Sequence, residues 1–414
     1  MLYGCLLLYI TLIYVRPAEI VPGWETIPFV QILTGISIVI GIFSFAHKPR
    51  RVTNLPHDKL VLAFWGAIVI SSVKIWLMGA FNAWLAFMPS AFCYFLFRAA
   101  VRTKAQLKGV IYLLIALNVF LAVNGIVQYN TGVGLGNMTM TLERIYGTGI
   151  FSDPNDLGMT FVMSIPFLVL LLAGAGKALL TRVIALIAIG LILLATYYTN
   201  SRGAIVGLSA AMIAYSFTNF KKSSAMFVGA ILVAVIAVAA PSRAGEMSYG
   251  ESSAQTRIQS WAAGWSMLKT HPVTGVGYDQ YTEYNEVVAH NSFVHTFAEL
   301  GLVGAFCFVG MFYWYFRGLR KLSDTPADMV PWRNALIASG TGSLACCWFL
   351  SRQYVAVLYV LLAMGATAAI LESDAPDASV PITSRDGWTI AGLTICGIAA
   401  VYISIRTMAV WSGG

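Results

Sequence analysis

Charged residues are scarce in this sequence. They make up 11% of its 414 residues, whereas hydrophobic residues make up 58% and the mean hydropathy is +0.75. A soluble domain carries about 25% charged residues, so the composition indicates an integral membrane protein. Apolar runs of about 20 residues recur along the chain, and the alternating pattern of a transmembrane β-barrel is missing. We therefore predict an all-α fold, a polytopic transmembrane helix bundle.

Metal-binding and nucleotide-binding patterns are also missing. The six cysteines all fall within apolar runs and none has CxxC spacing, which indicates neither a disulfide framework nor a thiolate metal site. No HExxH, DxD or P-loop pattern occurs. Asp279, Glu283 and Glu286 lie near His290, but an exposed acidic loop is the usual explanation for such a group. We predict no metal ion and no cofactor.

Thirteen apolar runs are predicted as spans, which gives about 12 or 13 spans in a single integral membrane domain over residues 1–414. Their approximate limits are 2–15, 30–46, 60–78, 81–97, 109–128, 157–173, 183–199, 203–218, 225–240, 291–316, 335–350, 354–371 and 388–405. The net charge of +8 comes from short basic clusters at alternate connections. Because basic residues favour the cytoplasmic side, this placement indicates topology, not nucleic-acid binding. It predicts a cytoplasmic N-terminus and leaves the side of the C-terminus open, because residues 372–386 before the last span are acidic whereas an odd number of spans would place the C-terminus outside.

The longest external connection is the predicted loop 241–290. From Thr256 to Lys269, four apolar residues recur at helical spacing, which predicts a short amphipathic helix on the membrane surface with two tryptophans at headgroup level; they are Ile258, Trp261, Trp265 and Leu268. Gly275 and Gly277 are then predicted to form a flexible turn.

A histidine stands where this loop enters the next apolar helix. At a helix N-terminus the macrodipole favours a neutral imidazole, so His290 could accept a proton from a hydroxyl. The alternative is an interfacial histidine that caps the helix or faces lipid headgroups. Asn291, His295 and Glu299 follow at positions i, i+4 and i+8 and form a polar stripe. The stripe either orients substrate or serves as an interhelical hydrogen-bond seam.

Five arginines fall on the predicted external face: Arg144, Arg202, Arg243, Arg257 and Arg352. Guanidinium groups bind pyrophosphate oxygens in bidentate fashion, so several of them beside a histidine indicate an anion site. The alternative is that each one snorkels to lipid headgroups. Asp153 is predicted as an N-cap with Pro154 in the first helical position, and Asn155 and Asp156 add polar groups at this boundary.

Four motifs together resemble the O-antigen ligase and O-antigen/exopolysaccharide polymerase family over residues 144–304. Gly149–Gly158 is similar to its F-x-x-P-N-x-x-G segment, and Thr199–Ala204 to its S-R-G/A hairpin. Arg257–Gly277 is similar to its R-x-x-x-W … P-x-x-G-x-G loop. His290-Asn291 with Gly301 and Gly304 matches its H-[N/S/Q]-x9-G-x-x-G pattern. Ligases often carry Leu where this chain has Trp261, so the motifs leave ligase and polymerase both open.

The resemblance implies a metal-independent glycosyltransferase at the periplasmic face of the bacterial inner membrane, with 241–290 as a periplasmic loop. Its donor would be a glycan on undecaprenyl pyrophosphate. His290 would be the base, and Arg202 and Arg257 would hold the pyrophosphate. Arg144, Arg243 and Arg352 are further candidates for that role, and five residues would support the site: Asn291, His295, Glu299, Asp153 and Asn155.

The acceptor implied is a hydroxyl of lipid A–core, of another lipid-linked repeat or of a protein serine. Membrane lipids and polysaccharide assembly proteins are the other expected partners. Two readings from different classes stay open: a secondary transporter or anion permease, and a structural scaffold for an assembly complex. Paired Gly/Pro-broken spans in two matching halves, which inverted-repeat transporters show, are not evident in the sequence.

Overall fold

The computed structural model describes residues 1–47, 55–73, 75–140, 143–174, 178–219, 247–320, 328–371 and 382–411. Across these ranges the chain is helical, with short connections and no β-strand. The predicted all-α class is confirmed. The predicted span 225–240 and Arg243 lie outside the described residues.

Fifteen α-helices are described. In chain order they are α1 (Leu2–Val15), α2 (Pro17–Ile20), α3 (Phe29–His47), α4 (Pro56–Val73), α5 (Leu77–Ala100), α6 (Lys104–Thr131), α7 (Pro154–Ala173), α8 (Leu179–Tyr198), α9 (Arg202–Asn219), α10 (Met247–Thr270), α11 (Tyr281–Tyr284), α12 (Ser292–Arg320), α13 (Val330–Phe349), α14 (Ala356–Leu371) and α15 (Ser384–Trp411). Short 3₁₀ turns at Leu135–Asn137 and Gly149–Phe151 lie between α6 and α7.

Seven of the described helical segments are long and apolar enough to cross a membrane by length and composition. They are Leu2–Ile20, Leu77–Ala100, Lys104–Thr131, Pro154–Ala173, Leu179–Tyr198, Ser292–Arg320 and Ser384–Thr407. Within its most apolar stretch α12 is 72% buried, whereas α8 is 28% and α15 is 17% buried. Helix α12 is therefore central, and α8 and α15 lie at the periphery with apolar faces available to lipid.

The helices alternate in direction, so the connections gather at two ends of the bundle. At the upper end, defined by residues 16–28, 132–153, 199–201, 271–291 and 350–355, Thr148 Oγ1 donates to the Val15 carbonyl and the Ile145 amide donates to the Tyr198 carbonyl. At the opposite, lower end, Lys108 pairs with Asp328 at 3.5 Å. The described residues of the basic clusters lie at the lower end, as the alternating pattern predicts.

Helix α10 is longer than predicted, and one of its tryptophans points inward. The Trp261 side chain is buried, and its Nε1 donates to the Ala289 carbonyl at 2.8 Å. Trp265 packs against Tyr402 of α15 with ring centroids 5.1 Å apart. The expectation that both tryptophans lie at headgroup level is therefore wrong for Trp261, because an internal hydrogen bond holds its indole against the protein.

The Gly275 turn is fixed to α12, contrary to the flexible turn that the glycines predict. Helix α12 breaks at Gly301, where φ is 65° and ψ is −161°. Four backbone hydrogen bonds join the loop to this break: Val276 N to Ala298 O at 2.8 Å, Gly277 N to Glu299 O at 2.9 Å, Leu302 N to Pro272 O at 2.8 Å and Val303 N to Val273 O at 3.4 Å. The loop backbone thus pairs with the groups that the helix break would leave unsatisfied.

Glycine is required on both sides of this loop–helix joint. Gly275 has φ 66°, and a Cβ atom there would overlap the backbone carbonyl of Glu299. A Cβ atom at Gly301 would overlap the carbonyl of Val273. Only a residue without a side chain lets the two backbones approach this closely. The joint fixes where the loop that leads to His290 begins.

Candidate functional site

His290 lies at the upper end of the bundle, two residues before α12 begins. Asn291 caps the helix, because its Oδ1 accepts hydrogen bonds from the amides of Phe293 and Val294 at 2.9 and 3.1 Å. His290 is half-buried and has a left-handed backbone, φ 46°. Within the described part of the chain its imidazole makes no hydrogen bond. The helix cap is therefore Asn291 and not His290, and the ring nitrogens of His290 are available to a ligand.

The surroundings of His290 favour a neutral ring. Burial lowers its pKa first, and the charges of Arg257, Arg352 and His295 lower it further, while Asp153 partly opposes them. The ordinary histidine pKa is about 6.5, so at neutral pH this imidazole is unprotonated and can accept a proton. These four residues are therefore the charged or titratable groups that act on the His290 ring.

Arg257, on α10, belongs to a group of three arginines. Burial lowers the pKa of Arg257, and the charges of Arg202 and Arg144 lower it further. In the described residues neither Arg202 nor Arg257 forms an ion pair or a hydrogen bond through its side chain. Arg144 is held by the Thr199 carbonyl at 2.9 Å and by Asn155 Oδ1 at 3.1 Å. Positive charge that no acid balances is a site for an anion.

The start of α7 pairs with an arginine from the connection between α13 and α14. Asp153 caps α7 as predicted, since its side chain accepts from the Asn155 amide at 2.8 Å. Its Oδ2 also accepts from Arg352 Nη2 at 2.5 Å, and Asp156 pairs with Arg352 Nε. Arg352 therefore pairs with two carboxylates. In this structure Arg352 positions the start of α7. Its contact with pyrophosphate remains a prediction.

Helix α10 is fixed to the loop that carries the histidine. Besides the bond from Trp261 to the Ala289 carbonyl, Ser260 Oγ donates to the Val287 carbonyl at 2.8 Å, and Tyr281 Oη donates to the Ser260 carbonyl at 2.5 Å. Arg257 lies one helical turn before Trp261. These bonds consequently set the position of Arg257 relative to His290.

Glu299 connects three segments of the upper end. It is fully buried and lies in α12. Its Oε1 accepts from the Tyr281 amide at 3.1 Å and lies 3.0 Å from His295 Nε2, and its Oε2 accepts from Tyr354 Oη at 2.8 Å. Three donors from three segments thus surround one buried carboxyl group. Of the predicted polar stripe, His295 and Glu299 thus pair with each other and with the loop before His290, whereas Asn291 caps α12.

The structure brings most of the predicted site residues together at one end. The residues in this group are His290, Arg202, Arg257, Arg144, Arg352, Asn291, His295, Glu299, Asp153 and Asn155. Sequence reasoning missed the pairing of Asp156 with Arg352 and the two tyrosines on Glu299. Nothing in the sequence signals Tyr354, whose partner lies 55 residues away.

Chemically, the arrangement combines a neutral base with fixed positive charge. A hydroxyl placed at His290 can lose its proton to the imidazole. An anionic leaving group placed at Arg202 and Arg257 can be stabilised as its charge develops. The combination is suited to transfer of a group from an anionic leaving group to a hydroxyl.

Comparison with protein families agrees with this chemistry. Residues 187–309 match the family model described as O-antigen ligase, which supports membership of that family and confirms the resemblance that the motifs indicate. The matched segment runs from α8 into α12 and includes Arg202, Arg257 and His290, whereas Arg144 and Arg352 lie outside it. No curated protein sequence matches the chain significantly.

Proposed function

We propose that this membrane protein transfers a glycan from undecaprenyl pyrophosphate to a hydroxyl acceptor. The acceptor would be lipid A–core or another lipid-linked repeat. The observation that carries the proposal is the position of Arg257 near His290 and of Arg202 near Arg257. In the described residues neither arginine pairs with an acid, and the His290 imidazole makes no hydrogen bond.

In the proposed reaction the acceptor hydroxyl gives its proton to His290. The acceptor oxygen forms a bond to the anomeric carbon of the donor sugar as the bond from that carbon to pyrophosphate breaks. The electron pair of the broken bond stays on the pyrophosphate oxygen. Arg202 and Arg257 would stabilise this charge, so fixed guanidinium groups would do what a metal ion does elsewhere.

The polyprenyl tail needs an apolar path beside the site. A small apolar cavity lies between the first half of α12 and α15, lined by Phe293, Phe297 and Phe308 among others. Phe293 is three residues beyond His290, so a tail in this cavity would leave its pyrophosphate near the upper end. We assign the upper end to the periplasmic face of the bacterial inner membrane, because the described basic clusters lie at the other end.

The proposal is tested with purified protein, a glycan on undecaprenyl pyrophosphate and each candidate acceptor. Release of undecaprenyl pyrophosphate that depends on the acceptor is expected for the unmodified chain. His290→Ala should lose this release, because the variant lacks the imidazole that is proposed to take the proton of the acceptor hydroxyl. Full turnover by His290→Ala would exclude the proposed base.

His271→Ala is the matched control. His271 is also in the loop before α12, and its Nδ1 lies 3.0 Å from Thr270 Oγ1, but none of the site contacts described above involves it. Its replacement should leave turnover unchanged. Uptake of a labelled anion into proteoliposomes without consumption of donor would favour the permease instead.

A further inference from the structure

Buried polar atoms without partners line the contact between α12 and the segment 350–354. We call this contact the seam; it is closed by Ser292 Oγ, which donates to the Leu350 carbonyl at 2.6 Å and accepts from the Arg352 amide at 2.8 Å. Within the described residues, five side-chain atoms at the seam are buried without a hydrogen-bond partner. One of them, Arg352 Nε, is in an ion pair with Asp156; the other four are Asn291 Nδ2, His295 Nδ1, Ser351 Oγ and Gln353 Oε1.

Such a group needs an explanation, because a buried polar atom without a partner has lost its hydrogen bonds to water and gained none in the protein. Asn291 is 0% exposed, Gln353 is 1% exposed and His295 is 9% exposed. The unused atoms include an amide donor, an amide acceptor and a hydroxyl. Since each sugar hydroxyl both donates and accepts a hydrogen bond, this mixture is complementary to a sugar.

Glu299 determines what His295 can offer. The carboxylate accepts from Nε2, which places the ring proton there and leaves Nδ1 as an acceptor. His295 also lies against two aromatic rings, Tyr281 at 4.8 Å and Tyr354 at 6.4 Å between centroids. His295 Nδ1 is thus a buried acceptor beside aromatic rings, and these surroundings suit a hydroxyl group on a sugar ring.

Asp279 is an exposed carboxylate in the loop whose Gly277 and Tyr281 amides bond to Glu299. Asp279 makes no side-chain hydrogen bond or ion pair in the described residues. Burial raises its pKa, Glu299 raises it further, and His295 lowers it. His295 thus interacts with Asp279 and also with His290. The adjacent Tyr278 ring packs against Tyr354 with centroids 4.8 Å apart.

We propose that the seam and Asp279 form a binding site for a sugar of the acceptor, adjacent to His290 and separate from the arginines that hold the donor. Gln353, His295 and Asn291 bind hydroxyl groups of that sugar, and Asp279 accepts a hydrogen bond from it at the entrance. The inference rests on the proposed function, because it assigns the second substrate of that reaction.

Gln353→Met is the main test. The change removes the amide but keeps nearly the same volume, and the backbone carbonyl that accepts from Tyr359 Oη at 2.9 Å remains. The KM for the acceptor should rise about tenfold, equivalent to about 1.4 kcal/mol, while the KM for the donor stays within twofold. Asp279→Asn should act in the same direction. Glu283→Gln, which alters an exposed acid of the same loop, is the control and should change neither KM.

A binding measurement separates this site from catalysis. The probe is a lipid-free core or repeat-unit oligosaccharide, followed by saturation-transfer NMR on the purified full-length protein, with undecaprenyl pyrophosphate as the donor-side probe. Gln353→Met should lose oligosaccharide binding and retain binding of undecaprenyl pyrophosphate. If the seam holds only ordered water, Gln353→Met will leave acceptor KM and oligosaccharide binding unchanged, and the inference is overturned.

The two proposals fail in different ways. If the unmodified chain releases lipid pyrophosphate but its acceptor KM is insensitive to both Gln353 and Asp279, the proposed function stands and the acceptor site is wrong. If no release occurs but oligosaccharide binding still depends on these residues, the sugar site stands and the transfer reaction is wrong. An unfolding temperature for each variant close to that of the unmodified chain shows that the fold is retained.

Discussion

Replacing Gly301 with alanine tests whether the loop–helix joint holds the site together. The backbone of Gly301, with φ 65° and ψ −161°, lies in a region that other residues occupy only at a cost of about 1–3 kcal/mol. The new Cβ atom would also overlap the Val273 carbonyl, so the loop must move. Losing two of the four loop–helix hydrogen bonds costs about 1 kcal/mol each. The total destabilisation expected is roughly 3–5 kcal/mol.

Thermal unfolding of the purified protein in detergent measures the effect, and hydrogen–deuterium exchange locates it. Gly301→Ala should unfold several degrees below the unmodified chain, and the amides of Val276 and Gly277 should exchange faster. Transfer activity should fall as well, because Glu299 would no longer hold the Tyr281 amide in place.

Gly392→Ala is the matched control. Gly392 lies within α15, and a Cβ atom there would have no neighbour within 4 Å. Alanine is favoured over glycine inside a helix by about 1 kcal/mol, so this variant should be as stable as the unmodified chain or slightly more so. An unfolding temperature of Gly301→Ala equal to that of Gly392→Ala, with unchanged loop exchange, would refute the role of the joint.

Three further predictions concern the charged groups and their support. Arg257→Gln removes a charge that lowers the pKa of His290, so that pKa should rise in the variant. Since the neutral base is lost as pH falls through its pKa, the acid limb of the kcat/KM profile should move to higher pH. An acid limb at the same pH in both proteins would contradict the interaction between Arg257 and His290. Arg202→Ala should raise donor KM roughly 10- to 100-fold, because a hydrogen bond to a charged group contributes about 1.5–3 kcal/mol, whereas Arg352→Ala should chiefly lower the unfolding temperature. Trp261→Phe should reduce kcat by freeing α10 from the histidine loop, and wild-type kcat would show that this hydrogen bond is dispensable.

Local patterns in the sequence predicted local structure well. Asp153 followed by proline predicted the start of α7, because an N-cap and its helix lie within a few residues. The stripe of Asn291, His295 and Glu299 followed from the helical repeat alone. These features need no knowledge of distant parts of the chain, so the sequence is sufficient to predict them.

Interactions between distant residues were not predictable in the same way. The break at Gly301 falls inside an apolar run. Because hydropathy depends on residue type and not on backbone conformation, it does not show where the helix breaks. Its cause is the loop at 272–277, which must be known to lie against it. Likewise, five external arginines look equivalent in sequence. Only the fold shows that Arg352 forms an ion pair with Asp153, 199 residues away, whereas Arg202 and Arg257 pair with no acid in the described part of the chain.

The pairing of Arg352 determines where the site is positive. Because Arg352 pairs with Asp153 and Asp156, the arginines near His290 without an acid partner in the described residues are Arg202 on α9 and Arg257 on α10, whereas Glu299 and Asp279 interact with His295. The groups that interact electrostatically thus follow one order, in which His290 stands between the arginines and the acids. An anionic leaving group is attracted to Arg202 and Arg257 and repelled by Glu299 and Asp279, whereas an uncharged sugar is free to bind near these acids. The same charge order that keeps His290 neutral would therefore direct donor and acceptor to opposite sides of the base.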